Sequence, residues 1–421
     1  MNYIHDAHQK TSYPIKVVQF GEGNFLRGFA DQMIDILNKT GACDLGVAVI
    51  KPRSGRLDAL NSQNGLYTVL LRGSAQGRIQ QETQMVDCIQ TALGSDVDYD
   101  AYSALSALET LQVVLSNTTE AGMTLDLGDS FDLCPPRSFP GKLTKFLFDR
   151  FEAFGGDPAR GLIIMPLELI EDNGAALREH VLALAARWDL PDSFSRWVTS
   201  ANLFCNTLVD RIITGFPKEE AEALWADLGY RDDLIVAGEP FGLWVIETDD
   251  PDRVKAVLPF EQAGLPVLFT QDQKPYRERK VRVLNGAHTG TVLAAYLAGL
   301  DTVGACMEDK TVRAFMERMI ESEIAPTVPL PPAEVADFAA SVLERFANPF
   351  IRHELLSIAL NSVSKWKSRI LPSLLDAFKN TGSLPPLLTF SFAALLAFYT
   401  PAGRNEKGLT GLRGQSEYLI S

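Results

Sequence analysis

IKVVQFGEGNFLRGF, residues 15–29, reads as a strand, a turn and a helix in immediate succession. Residues 15–20 are a short apolar, β-branched run of the kind that forms a buried strand. Gly21-Glu22-Gly23 follows without a spacer, and the amphipathic stretch 25–37 predicts a helix that begins near Asn24. Glycines at such a junction permit a tight turn and let backbone amides approach a pyrophosphate at the helix start. Gly21 and Gly23 therefore head a candidate dinucleotide loop. Arg27, one turn into the helix, is either a second phosphate contact or surface charge. Leu26 stands where the usual fingerprint has its third glycine, so the motif is incomplete.

Outward from this unit, further strand candidates lie at 46–50 (GVAVI), 66–71 (LYTVLL), 111–115 (LQVVL) and 162–165 (LIIM). Buried strands separated by helical segments predict an α/β fold: a Rossmann-like, doubly wound, mainly parallel sheet that binds ligands at its C-terminal strand ends. After residue 276 the texture changes to helices, at 278–300, 310–323, 332–346, 353–360, 368–379 and 387–399. The turn-rich GLPVLFTQDQKP, 264–275, marks the change. The expected organisation is a Rossmann-type NAD-binding domain over 1–268 and a mainly α-helical substrate and catalytic domain over 269–421.

Composition narrows the function. The 421 residues carry 39 Lys+Arg against 53 Asp+Glu, a net charge of −14, which argues against a nucleic-acid binder. An anionic ligand needs a local basic island in such a chain. Five scattered cysteines without a CxxC suggest reduced thiols, neither a disulfide framework nor a zinc site, and no metal is expected. No apolar h-region follows a basic start, and the run 387–399 is shorter than the ~20 residues of a membrane span. A cytoplasmic protein without membrane partner is expected; the oligomeric state stays open.

Three segments carry candidate chemistry. Lys51-Pro52-Arg53 ends the second strand, where a carboxylate ordinarily holds the ribose of NAD and cations suit the 2′-phosphate of NADP, so the cofactor is open at this point. Ser116-Asn117-Thr118-Thr119-Glu120 ends the fourth strand, either beside the nicotinamide ribose or as a plain helix cap. KPYRERKVRVLNGAH, 274–288, puts five cations in nine residues. At the 100° per residue of an α-helix, with Lys280 at zero, Arg277 projects near ~60°, His288 near ~80° and Asn285 near ~140°. These four share a face that suits an oxygen-rich anion, while Arg279 and Arg282 read as a solvated basic face. Lys365, in NSVSKWKSR, is either in a solvated basic turn or reaches a substrate hydroxyl or carboxylate.

The spacing Lys280-x4-Asn285-x2-His288 resembles the signature of the mannitol dehydrogenase family, the polyol-specific long-chain dehydrogenases. FGEGNFLRGF resembles that family's cofactor loop, and NTLVDRI, 206–212, its NxxVDRI block. NGLYTVLLRG, SNTTEAG, KPYRERKV, LNGAHT and NPFIRHELLSIALN resemble its altronate oxidoreductase (tagaturonate reductase) branch. The resemblance implies a metal-independent NAD-linked reductase of a sugar acid, with Lys280 as general acid/base assisted by Asn285 and His288. It adds Asn24 and Phe25 to the cofactor loop and assigns Asn206 and Asp210 to the substrate. The alternatives are a fructuronate reductase or other polyol dehydrogenase of the family and, less so, a non-catalytic dinucleotide sensor. This chain has Glu168-Leu169 where polyol members carry Asp-Asn, and Arg277 where they carry Glu. It also ends sooner after Tyr399 than the resemblance leads one to expect. A lysine acts as a base near neutrality only when burial or nearby cations lower its pKa, and Arg277 lies one turn away. Arg277 is also the expected clamp for a substrate carboxylate.

Overall fold

The computed structural model describes residues 1–75 and 78–420. It divides into two compact units, one of Met1–Leu71 with Gln81–Gln273, the other of Arg72–Gln80 with Lys274–Ser421.

The first unit is built on a six-stranded sheet: β1 (Ile15–Phe20), β2 (Gly46–Lys51), β3 (Ile89–Gly94), β4 (Val113–Ser116), β5 (Ile163–Pro166) and β6 (Leu203–Phe204). The order is β3-β2-β1-β4-β5-β6 with every neighbouring pair parallel, the doubly wound arrangement. Both faces are covered. Val17, Val47 and Leu115 pack on Leu26, Phe29 and Met33, while Val18, Phe20 and Ile164 pack on Phe139, Phe146 and Phe194. Burial on both sides is why these strands read as unbroken apolar runs rather than alternating ones.

Two sequence expectations need correction here. LYTVLL is not in the parallel sheet; it belongs to strand Tyr67–Ala75, which pairs parallel with Val236–Gly238 in a separate four-stranded sheet. The place beside β2 is taken by Ile89–Gly94, whose Gln90 and Thr91 hide it from a search for apolar runs. The helix expected over 25–37 is broken at Phe29 (φ −130°, ψ −76°), giving Asn24–Gly28 and Ala30–Lys39.

In the second unit the helix Pro332–Phe346 matches its expected bounds. The segments read as 353–360 and 368–379 are instead three short helices, Leu355–Ala359, Ser362–Arg369 and Leu371–Thr381, the first break falling at left-handed Asn361. Lys280–Asn285 and Met319–Ile324 are π-helical, so 278–300 and 310–323 are not uniform α-helices. Beyond Tyr399 comes a three-stranded antiparallel sheet, Gly403–Asn405, Gly408–Arg413 and Ser416–Leu419, anchored where Tyr418 stacks on Phe398 at 4.6 Å. Its strands are short and glycine-punctuated, too weak a pattern to read as strands from sequence. Among the described residues no helix is long and apolar enough to cross a membrane.

Candidate functional site

One candidate site, within the first unit, is built at the C-terminal ends of β1 and β4. Gly21 leaves β1 with φ +125°, and a Cβ there would stand 2.9 Å from both the Asn117 carbonyl oxygen and Leu26 Cδ1. Only glycine fits, by conformation and by space. Gly23 makes no such demand: it is exposed, with nothing within 4 Å of a Cβ. Asn24 is exposed beside it, and Phe25 stacks on Phe29 at 5.0 Å, pinning the turn. Arg27 is not surface charge. It is buried, donates to Leu234 O (2.7 Å) and Asn24 Oδ1 (2.6 Å), and lies over the Tyr67 ring.

Beneath this turn the Gln19 amide donates to both Gly21 O and Asp31 Oδ2, each at 3.2 Å. Asp31 is fully buried, and burial pushes its carboxyl up to about 7.

The polar end of β4 is held by a residue that sequence reasoning noticed only as a missing amide. Glu168 is buried and accepts from Ser116 Oγ (2.9 Å), Thr118 N (2.8 Å) and Thr118 Oγ1 (3.0 Å), while Asn117 Nδ2 donates to Leu167 O. Burial raises its pKa. An acid just past a strand ending in proline was the available signal. Thr119 (φ +81°) and Glu120 are exposed; Thr119 Oγ1 accepts from Gly122 N (3.3 Å), ahead of a single 3-10 turn, Ala121–Met123. Next to these strand ends lies a cavity of about 340 Å³ lined by Arg53, Thr118, Gly122, Asp126, Arg137 and Phe139, among others.

Asn206 and Asp210 sit on strand Asn206–Asp210, antiparallel to Leu243–Glu247. The Asn206 side chain is oriented within the unit, donating to Glu247 Oε1 (2.6 Å) and accepting from Ala175 N (2.9 Å). These two bonds fix the side chain and leave its second N–H for the expected substrate contact. Asp210 is buried at the strand end. Arg211 beside it donates to Gly28 O and Gln32 Oε1, so the NTLVDRI block ties the glycine-turn helices to their neighbours.

A second candidate site, within the second unit, lies on the helix that starts at Lys274. Between Lys274–Arg279 and Gly286–Leu297 the backbone widens to a π turn over Lys280–Asn285, with Gly286 N–H donating to Val281 O five residues back. Bonding i to i+5 widens the turn and brings the fifth residue round nearer to the first than in an α-helix, a geometry frequent at functional sites. Asn285 is thereby drawn toward Lys280, much closer than the ~140° of a regular α-helix. Arg277, Lys280 and Asn285 are each half-buried.

Arg279 and Arg282 are not a solvated face. Arg279 is buried, pairs with Glu334 at 2.7 Å and lies 4.4 Å from the Phe338 centroid. Arg282 pairs with Asp376 (2.6 Å) and Glu278 (3.2 Å). Glu334 and Asp376 come from other helices, where the sequence could not place them.

His288 is buried, its ring 4.0 Å from that of Phe346 and 5.1 Å from that of His353. Its Nδ1 has no hydrogen-bond partner among the described residues. Burial, then the charges of His353, Arg345, Arg369 and Lys365, push its pKa well below the ordinary imidazole range, so the ring is neutral at pH 7. Lys365 stands near His288, half-buried, with its ammonium on Ile358 O at 2.9 Å. Among the described residues no group of three or more His, Cys, Asp or Glu side chains is placed to hold a metal ion.

The family model for the mannitol dehydrogenase Rossmann domain matches residues 15–257, and that for the mannitol dehydrogenase C-terminal domain matches 272–411. The altronate oxidoreductase of Klebsiella pneumoniae (strain 342) is 46% identical over 397 residues, 94% of this chain and 82% of the relative. That of Bacillus subtilis (strain 168) is 47% identical over 390 residues, 92% of this chain and 80% of the relative. Among solved structures, a D-sorbitol dehydrogenase in substrate-free form superposes with TM-score 0.81 at 23% identity, covering 96% of this chain and 83% of that one. Pseudomonas fluorescens mannitol 2-dehydrogenase, in a ternary complex with NAD and D-mannitol, gives 0.70 at 23%, covering 94% and 81%. These two likenesses bear on the fold.

Proposed function

This chain belongs to the mannitol dehydrogenase family, and we propose that within it the protein is an NAD-linked oxidoreductase that interconverts D-tagaturonate and D-altronate. Relatives at 46–47% identity over more than nine-tenths of the chain bear the name altronate oxidoreductase. The observation that carries the reading is the π turn, which brings Asn285 round toward Lys280 and leads on to a neutral, buried His288 in cationic surroundings.

Residues 1–268 hold the cofactor in this reading, and 269–421 hold the substrate and carry the proton chemistry. The Gly21 turn, a cradle that any Cβ would fill, would take the pyrophosphate together with Gly23, Asn24 and Phe25. Asn117, Thr118, Thr119 and Glu120 would face the nicotinamide ribose, and the cavity between Arg53 and Arg137 would take the adenosine end. Arg27 serves the loop indirectly, by bracing Asn24. When bound, NADH supplies the hydride for the ketone carbon.

Lys280 holds the proton that the new alkoxide oxygen needs, and takes it back in the oxidation direction. Asn285 donates its amide N–H to the same oxygen and stabilises the charge that develops there. His288 is kept neutral, so it offers a hydrogen bond and the proton transfer falls to the lysine. Arg277, Lys365 and Asp210 complete the substrate surroundings. The reading places the enzyme in the cytoplasm, acting on a free sugar acid.

The test is NADH oxidation with tagaturonate, fructuronate and fructose side by side. Tagaturonate is expected to give the highest kcat/KM. A higher value with fructuronate would move the protein to the sister activity, and turnover of fructose alone would overturn the sugar-acid reading.

A further inference from the structure

Two cations beside His288 lack what Arg279 and Arg282 have. Lys365 and Arg369 lie four residues apart, on one side of helix Ser362–Arg369. Arg369 is half-buried and its one hydrogen bond goes to Thr289 Oγ1, at 3.4 Å, on the residue next to His288. The Lys365 ammonium has only the Ile358 carbonyl. Neither forms an ion pair among the described residues, in a chain with 53 acidic side chains to supply one.

His353 faces the same spot. It lies edge-on to His288, and burial and Lys365 both lower its pKa. Withdrawing charge from water without a counter-ion is unfavourable, and the price is visible in the lowered pKa values of Lys365, Arg369 and both histidines. An unbalanced positive patch that adjoins a proposed catalytic imidazole is a receptor for an anion. The planar guanidinium sets its class, since it meets a carboxylate through two parallel hydrogen bonds.

We propose that Arg369, supported by Lys365 and His353, grips the carboxylate of the sugar acid and is the residue that separates acids from neutral polyols. The proposal rests on the substrate reading above and moves the clamp from Arg277, its place by sequence alone, to the helix Ser362–Arg369. Arg277 is then left for hydroxyl contacts.

The experiment uses the full chain with NAD present and compares D-altronate with D-altritol, the hexitol that lacks only the carboxylate. Dissociation constants and turnover are measured for wild type, Arg369→Met, Arg369→Lys, His353→Asn and Arg277→Leu. Arg369→Met is expected to weaken altronate about 10–100-fold, the range of a charge-assisted hydrogen bond, and to change altritol less than about threefold. Arg369→Lys should recover part of the loss, which a packing defect would not. Equal losses on both ligands, no loss on altronate, or an acid-specific loss in Arg277→Leu alone would each overturn the clamp. A wild-type enzyme that binds and oxidises altritol but not altronate would overturn the substrate reading, and the clamp with it.

Discussion

In the proposed reading, the turn after β1 and the helix that starts at Lys274 hold an anion in opposite ways. The turn is made of backbone: Gly21 has no room for a methyl group, and Glu168 and Gln19 act by fixing peptide groups and short polar side chains around it. The helix region is made of side chains: Lys280, Lys365, Arg369 and two histidines, beside Arg279 and Arg282, which are paired with acids. A site of backbone amides serves an unvarying ligand such as a cofactor diphosphate. A site of side chains can be retuned by substitution, and so suits the part of the molecule that distinguishes substrates.

The largest effect that would sharpen this contrast is at Lys280. Lys280→Ala should lower kcat by ~10²–10⁴-fold with NADH binding, followed by fluorescence, nearly unchanged. A comparable loss of NADH affinity would mean that the two regions do not divide the work.

Next is the buried carboxyl under the turn. Asp31 has its pKa raised from 3.8 to about 7, so its contribution to stability is complete below pH ~4 and is lost as pH rises through about 7. Asp31→Asn should therefore stabilise the protein by about 2–4 kcal/mol at pH 8 relative to pH 4, read as a Tm difference between the two pH values. A pH-independent effect would show that Asp31 is charged throughout.

Gly21→Ala tests the backbone site itself. Contacts of 2.9 Å and a left-handed φ predict strain of about 1–3 kcal/mol. NADH should bind at least several-fold more weakly, and kcat at saturating NADH should change little. A fall in kcat with unchanged NADH affinity would remove the turn from the cofactor site.

The smallest effect concerns the cavity at Arg53. NADH is expected to show the lower KM, and Arg53→Ala to alter the NADH/NADPH ratio by less than about tenfold. A lower KM for NADPH would show that Arg53 and Arg137 receive a phosphate.

The backbone-built region was the easier of the two to read. A glycine after an apolar strand has few meanings, and β1, β2, β4 and β5 were visible because strands buried on both faces cannot hide their composition. Ile89–Gly94 escaped because its polar residues imitate a loop. In the second unit, residue types pointed to the region but not to its geometry. No spacing rule announces a π turn, and an angle computed at 100° per residue sends Asn285 to the wrong place. Arg279 and Arg282 were misread because Glu334 and Asp376 come from helices that only folding brings near. The partners that orient Asn206, Glu247 and the Ala175 amide, come from other elements and could not be read from sequence.

A π turn differs from the α-helix it interrupts by one extra residue. Losing a single codon between Val281 and Leu284 would let the helix close regularly and would swing Asn285 and His288 about 100° around the axis relative to Lys280. Gaining one codon is the reverse step. The distance in mutational terms between an ordinary packing helix and one that aligns a lysine, an amide and an imidazole is therefore a single in-frame insertion.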